Sequence, residues 1–171
     1  MRRVTSNFLF IVSSDVARRL FGFFTVAYLA RTITTSDFGI INIGFTVLSY
    51  ALMMSSGGIS TFGAREIARG MGTEFVNALV SMKLLAAILI YVVVAIVVLS
   101  LVSSPTLVSL ILVLCLSLFI HALLLEWFFQ GKEEMSIIGI GRFASACVYF
   151  ILTVTLVHSP ADLLRIAIAA V

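Results

Sequence analysis

Charge is scarce in this chain. Asp, Glu, Lys and Arg together account for 11% of its 171 residues. No Lys/Arg-rich tract of the kind nucleic-acid binding needs is present, and the net charge is only +3, so no nucleic-acid partner is expected. Metal-ligand spacing, a Ser or Cys nucleophile with a placed base, and a phosphate-binding glycine loop are all missing, which argues against an enzyme and against a metal or cofactor. The two cysteines, Cys115 and Cys147, lie in apolar runs and share no metal or redox spacing; they read as small packing residues. Long polar loops are lacking too, so no soluble domain fits between the apolar segments.

What fills the chain instead is apolar: 61% hydrophobic residues and a mean hydropathy of +1.21. A water-soluble domain of this size would have to expose large apolar patches to carry that composition. Backbone polar groups in lipid must be satisfied within the segment, and long continuous runs rather than strict alternation favour helices over a barrel. The fold class expected is all-α, a polytopic membrane helix bundle. The opening Met-Arg-Arg has the look of a signal peptide, but Asp15, Arg18 and Arg19 interrupt the apolar region and no small-residue cleavage site follows.

Segments of about 20 residues, the length that spans the hydrocarbon core, run over 7–30, 38–62, 77–102, 106–129 and 137–157, and a sixth begins near Ala161 and is still apolar at Val171. The whole of 1–171 thus reads as one transmembrane bundle with an incomplete sixth helix, a partial N-terminal lobe. Arg2, Arg3, Arg65, Arg69, Lys83, Lys132 and Arg142 fall on one side, and Arg31 and Arg165 on the other. The positive-inside rule then makes the N-terminus cytoplasmic, with the turns at 31–37 and 103–105 outside.

Within the first segment Asp15, Arg18 and Arg19 lie near the middle of the apolar stretch. A charge at the centre of a membrane helix costs roughly 2.5 to 3.5 kcal/mol on insertion scales, so such residues normally face a protein-lined cavity. At 100° per residue Asn7, Ser14, Arg18 and Thr25 share a face, with Asp15 and Gly22 beside it. Asp15 is placed to pair with Arg18 or Arg19 one turn away, leaving a guanidinium over for a substrate; a purely structural ion pair is the competing reading.

Further along, Asn42, Thr46, Ser49, Met53, Ser56 and Ser60 recur at spacings of four and three, a weakly polar seam expected to serve helix packing. Gly57-Gly58 marks a bend or a close approach. Lys83 is expected to snorkel to the cytoplasmic interface, and Trp127 to be an interfacial anchor. His121 offers either a proton relay or a hydrogen bond to a neighbour. Glu126 reads as a boundary charge meeting Lys132 or Arg142. In the fifth segment Arg142, Ser145, Tyr149 and Thr153 form one stripe, where Arg142 either extends the cationic region or snorkels.

Ala30-Arg31, Asp37-Phe38-Gly39, Gly58, Ala64-Arg65-Glu66-Ile67-Ala68-Arg69 and Glu126-Trp127-Phe128-Phe129-Gln130-Gly131-Lys132-Glu133-Glu134-Met135, in that order, resemble the polysaccharide transporter family. That family contains the Wzx-type O-antigen flippases and belongs to the superfamily of lipid II flippases and MATE exporters. Thr32-Ile33-Thr34 departs from its pattern, where something closer to Leu-Gly would stand, and the chain is shorter than the twelve or more helices in two lobes of such flippases. The resemblance implies a transporter in the cytoplasmic (inner) membrane of a bacterium or archaeon. It would move polyprenyl-pyrophosphate-linked oligosaccharide outward by alternating access in O-antigen, capsule or exopolysaccharide biosynthesis, among membrane lipids and other polysaccharide-assembly proteins.

A pyrophosphate is a dense anion, and arginine presents a planar, permanently charged donor fork to its oxygens. Arg18, Arg19 and Arg142 are therefore the candidate substrate-binding residues, in that order, with Asp15, His121 and Glu126 as candidates for ion coupling or for orienting an arginine. Two other functions compete. A MATE-like exporter of cationic small molecules would need acidic residues to dominate the cavity, and a non-transporting scaffold of a polysaccharide-synthesis complex would be indifferent to loss of Arg18 and Arg19.

Overall fold

A computed structural model describes residues 2–157 and 163–170. Among them the chain is helical, with no strand. The turn expected at His158 to Pro160 and the start of the sixth segment at Ala161 lie outside the described residues.

Helix α1 spans Arg2–Thr32. A two-residue turn, Ile33 and Thr34, leads into α2, Thr35–Ser56, whose start is fixed by a reciprocal cap. The Thr34 hydroxyl oxygen accepts from the Asp37 N–H at 3.2 Å and donates to the Asp37 carboxylate at 2.6 Å, which satisfies an amide that the helix leaves without a partner. At the other end Gly57 and Gly58 adopt positive φ of 43° and 81°, a left-handed pair that side chains disfavour. The bend expected there divides the 38–62 segment into α2 and the short helix α3, Ile59–Ala68.

The next element is α4, Thr73–Leu101, 29 residues. Leu85, Leu89, Val92, Val93, Ile96 and Leu99 are exposed along it, the surface a membrane helix presents to lipid. Ser104 caps α5, Pro105–Cys115, by accepting from the Leu107 N–H, and Pro105 sits in its first turn. The 106–129 segment is not one uninterrupted helix: α5 gives way at Leu116 to α6, Ser117–Leu123, and after Leu124 and Leu125 the chain re-enters helix as α7, Glu126–Gly131. Then α8 covers Met135–Leu156 and α9 covers Leu163–Ala170.

Among the described residues four stretches are long and apolar enough to cross a membrane: Thr35–Ser56, Glu74–Leu101, Pro105–Gly131 and Met135–Leu156. The sequence reading counted five full crossings. The fifth would be α1, whose 31 residues give about 46 Å at 1.5 Å per residue, but Asp15, Arg18 and Arg19 set it apart from the four apolar stretches. It lies along α8. Phe21 meets the rings of Phe143 and Phe150 at 5.9 and 5.8 Å, and the Tyr28 hydroxyl donates to the Val157 carbonyl at 2.8 Å.

Lipid is as apolar as leucine, so helix association in a bilayer rests on packing and internal polar contacts. One buried cluster joins α1, α2, α5 and α9 through Leu29, Ile41, Leu48, Leu114 and Ile166. A second joins α2, α4, α5 and α6 around Ala51, Ala87, Ile111, Cys115 and Leu118. The third, Ile67, Leu79 and Trp127, ties α3 and α7 to α4.

In that third cluster two of the segments that carried the family resemblance, Ala64–Arg69 and Glu126–Met135, meet each other. A Cβ on Gly63 would come within 2.6 Å of the Trp127 ring and 2.5 Å of Leu79 Cδ2, and one on Gly131 within 2.6 Å of the Ala64 carbonyl. Only hydrogen at these positions lets α3 and α7 approach so closely. Trp127 is 1% exposed, which corrects its reading as an interfacial anchor: its ring fills the α3–α7 contact.

Candidate functional site

Arg142, about two turns into α8, is the hub of an ion cluster that three helices build. Its Nη2 and Nε donate to the two carboxylate oxygens of Glu126 at 2.9 and 3.2 Å, and its Nη1 reaches Asp15 Oδ1 at 3.4 Å. The first pair is a two-pronged guanidinium–carboxylate contact, the geometry that gives such pairs their directional specificity. Glu126 opens α7, directly after the Leu124–Leu125 interruption, so the break in the helix is what turns its carboxylate towards α8. Of the two partners expected for Glu126, the structure selects Arg142.

Asp15 bridges helices. Besides Arg142 it lies 3.9 Å from Arg18 Nε, the one-turn pair expected from spacing, but its shorter contact is to α8. Both carboxylates are therefore engaged by Arg142, while the Arg18 side chain remains 58% exposed and Arg19 is exposed beside it. Counting Arg142, Arg18 and Arg19 against Asp15 and Glu126, the group keeps an excess of positive charge, and that excess sits at the α1 surface. Thr25 is buried, donating to the Phe21 carbonyl at 2.8 Å; Asn7 and Ser14, placed on the same face from the sequence, have side chains outside the described set.

The α2 seam departs from expectation. Asn42, Thr46, Ser49, Met53 and Ser56 are exposed rather than packed between helices. Each polar member bonds a carbonyl of its own helix: Asn42 to Phe38 at 2.8 Å, Thr46 to Asn42 at 2.7 Å, Ser49 to Phe45 at 2.7 Å and Ser56 to Met53 at 3.1 Å. Self-satisfied hydroxyls tolerate an apolar neighbour and still offer lone pairs to water.

His121 does not join the arginine cluster's ion pairs. It lines a cavity of about 300 Å³ together with Lys83, Ser55, Ser56 and Ser60. Lys83 does not snorkel to the interface: it is 7% exposed, and its ammonium donates to the carbonyls of His121 at 3.3 Å and Leu124 at 3.5 Å. Snorkelling was expected because a segment begun at residue 77 leaves Lys83 less than two helical turns from its end. The helix, however, starts at Thr73, which puts Lys83 about three turns inside it. There it covers carbonyls released where α6 ends.

The loop motif on α3 is electrostatically self-contained. Glu66 is buried and accepts from Arg69 Nη1 at 2.7 Å, with Arg65 Nε at 3.8 Å. Among the described residues no group of three or more His, Cys, Asp or Glu is arranged to hold a metal ion.

Long apolar helices, a charged cluster shared between α1, α7 and α8, and short connections define a multi-pass helical membrane protein. Over residues 4–171 the chain matches the polysaccharide biosynthesis protein family; it belongs to that family, the one that holds the Wzx-type polysaccharide flippases. No curated protein and no solved structure matches it. Membership assigns the chain a role in polysaccharide biosynthesis.

Proposed function

We propose that the protein is a flippase that carries polyprenyl-pyrophosphate-linked oligosaccharide outward across the cytoplasmic membrane, with this chain contributing helices of an N-terminal lobe. The observation that carries the reading is the pair of exposed arginines, Arg18 and Arg19, on a helix that lies along the membrane-crossing α8. Exposed permanent cations at that depth suit a dense anion, and the pyrophosphate is the anionic part of the lipid-linked substrate. Arg142 commits its donors to Glu126 and Asp15, so direct ligation falls to Arg18 first and Arg19 second, while Arg142 holds α1, α7 and α8 in register.

Asp15 has the orienting role: it links Arg18 to Arg142. Release of Asp15 from Arg18, when a phosphate oxygen takes its place or when a coupling cation binds the carboxylate, would couple substrate arrival to the α1–α8 contact. The exposed polar seam of α2 supports a hydrated cavity into which a sugar chain fits. In this reading α1 crosses the membrane, the N-terminus is cytoplasmic, the moving step is rocking of two lobes, and the protein performs no covalent chemistry. The excess of arginine over carboxylate speaks against export of cationic drugs.

Reconstitution tests the reading. The purified full-length protein in proteoliposomes, given a fluorescent polyprenyl-pyrophosphate oligosaccharide, is expected to expose the probe to an external quencher far faster than protein-free vesicles do. A rate equal to that of empty vesicles, with correctly inserted protein, would remove the transport function.

A further inference from the structure

The cavity between α2, α3, α4 and α6 shares no residue with the arginine cluster and has a charge problem of its own. Lys83, which lines it, is 7% exposed, yet its two hydrogen bonds, at 3.3 and 3.5 Å to the carbonyls of His121 and Leu124, are long for N–H···O contacts, which ordinarily fall at 2.7–3.2 Å. An ammonium has three donors, and carbonyl dipoles offset only part of a buried unit charge. Among the described residues no carboxylate lies within ion-pair distance of Lys83. Glu126 is near enough to be felt electrostatically, but both of its oxygens are taken by Arg142.

The remaining walls combine hydroxyl and imidazole groups, each able to donate a hydrogen bond, with apolar side chains. Ser55 and Ser60 bring hydroxyls and His121 an imidazole, while Leu52, Met53, Leu118 and Ala122 supply the apolar part of the wall. Ser56 also lines the space but directs its hydroxyl hydrogen to the Met53 carbonyl at 3.1 Å. The volume, about 300 Å³, accommodates an ion with several waters at roughly 30 Å³ each, not an extended sugar chain.

We propose that this cavity is a binding site for a small, singly charged inorganic anion of the halide class, held by the Lys83 ammonium and the hydroxyls of Ser55 and Ser60. One charge on the ligand matches the one unpaired charge on the wall. A weakly hydrated halide tolerates the apolar side of the cavity, whereas a multiply charged phosphate would need more donors than these side chains present. Bound there, the anion neutralises the ammonium that covers the end of α6. It thereby supports the interruption that positions Glu126 against Arg142. The site is independent of the flippase reading and would persist were that reading to fail.

The test is equilibrium binding of radiochloride to the purified full-length protein in detergent at constant ionic strength, with gluconate as the replacing anion. A single saturable site is expected, displaced by bromide and not by gluconate. Lys83→Met should abolish it, and Ser60→Ala, which leaves the carbonyl contacts of Lys83 intact, should weaken it about fivefold, the loss expected for one hydrogen bond. Absence of saturable binding to the folded wild-type protein overturns the proposal, as does chloride affinity unchanged by Lys83→Met. Should Lys83→Met fail to fold, Ser60→Ala decides alone: wild-type affinity in that variant overturns the site.

Discussion

Arg142 on α8 and Glu126 on α7 are joined through two separate nitrogen–oxygen contacts, 2.9 and 3.2 Å long, across a helix break that exists between Leu123 and Glu126. The pair links the α3–α4–α7 packing unit to the α1–α8 pair, so its loss should be felt in assembly as well as at the site. Glu126→Ala leaves Arg142 with Asp15 alone; after discounting for the partial exposure of both side chains, a loss of about 1 kcal/mol is expected. In an Asp15→Asn background, which removes the carboxylate that would otherwise face an acidic side chain at position 142, the exchange Glu126→Arg with Arg142→Glu should recover membrane abundance that either single reversal loses. Fluorescence-detected size exclusion of the tagged full-length protein measures this; a double variant no better than the singles would remove the pair's structural role.

Gly63→Ala places a methyl group against the Trp127 ring and Leu79 at distances of 2.6 and 2.5 Å. Overpacking of this kind costs about 1–3 kcal/mol, and the thermal unfolding midpoint of the purified protein should fall accordingly. Gly22→Ala, where an added Cβ meets nothing within 4 Å, is the matched control and should leave the midpoint in place.

The outward-facing seam of α2 should be reachable from water if it borders a transport cavity. With Cys115 and Cys147 replaced by alanine, single cysteines at Thr46 and Ser49 are expected to react with a hydrophilic maleimide, and one at the buried Leu48 is not. Equal, negligible labelling at all three positions would place the seam against lipid.

Periodicity, length and composition were enough to read an all-helical membrane chain, because bilayer thickness and backbone satisfaction leave few alternatives. Asp15 as a partner of Arg18 was also legible, since residues one helical turn apart are neighbours whatever the fold. The Asp15–Arg142 contact was not: it joins residues 127 positions apart and depends on how α1 and α8 are rotated. Lys83 was misjudged for a local reason, the hidden start of α4, and Trp127 for a general one, since an aromatic beside charged residues at a segment end looks the same whether it faces the headgroups or fills a notch made by Gly63. The helix break at Leu124 and Leu125 left no proline or glycine signal, because buried Lys83 supplies from another helix the polar contact that such a break requires.

The claim at the centre of this account is that Arg18 and Arg19 hold the pyrophosphate end of a lipid-linked glycan. It is tested most directly by complementation of a flippase-null strain with the full-length gene carrying Arg18→Ala, Arg19→Ala or both, with membrane abundance measured in parallel. The account predicts surface glycan reduced by Arg18→Ala and lost in the double variant at normal protein abundance. Full surface glycan from the double variant would contradict it and reduce the α1 charges to a structural contact with α8.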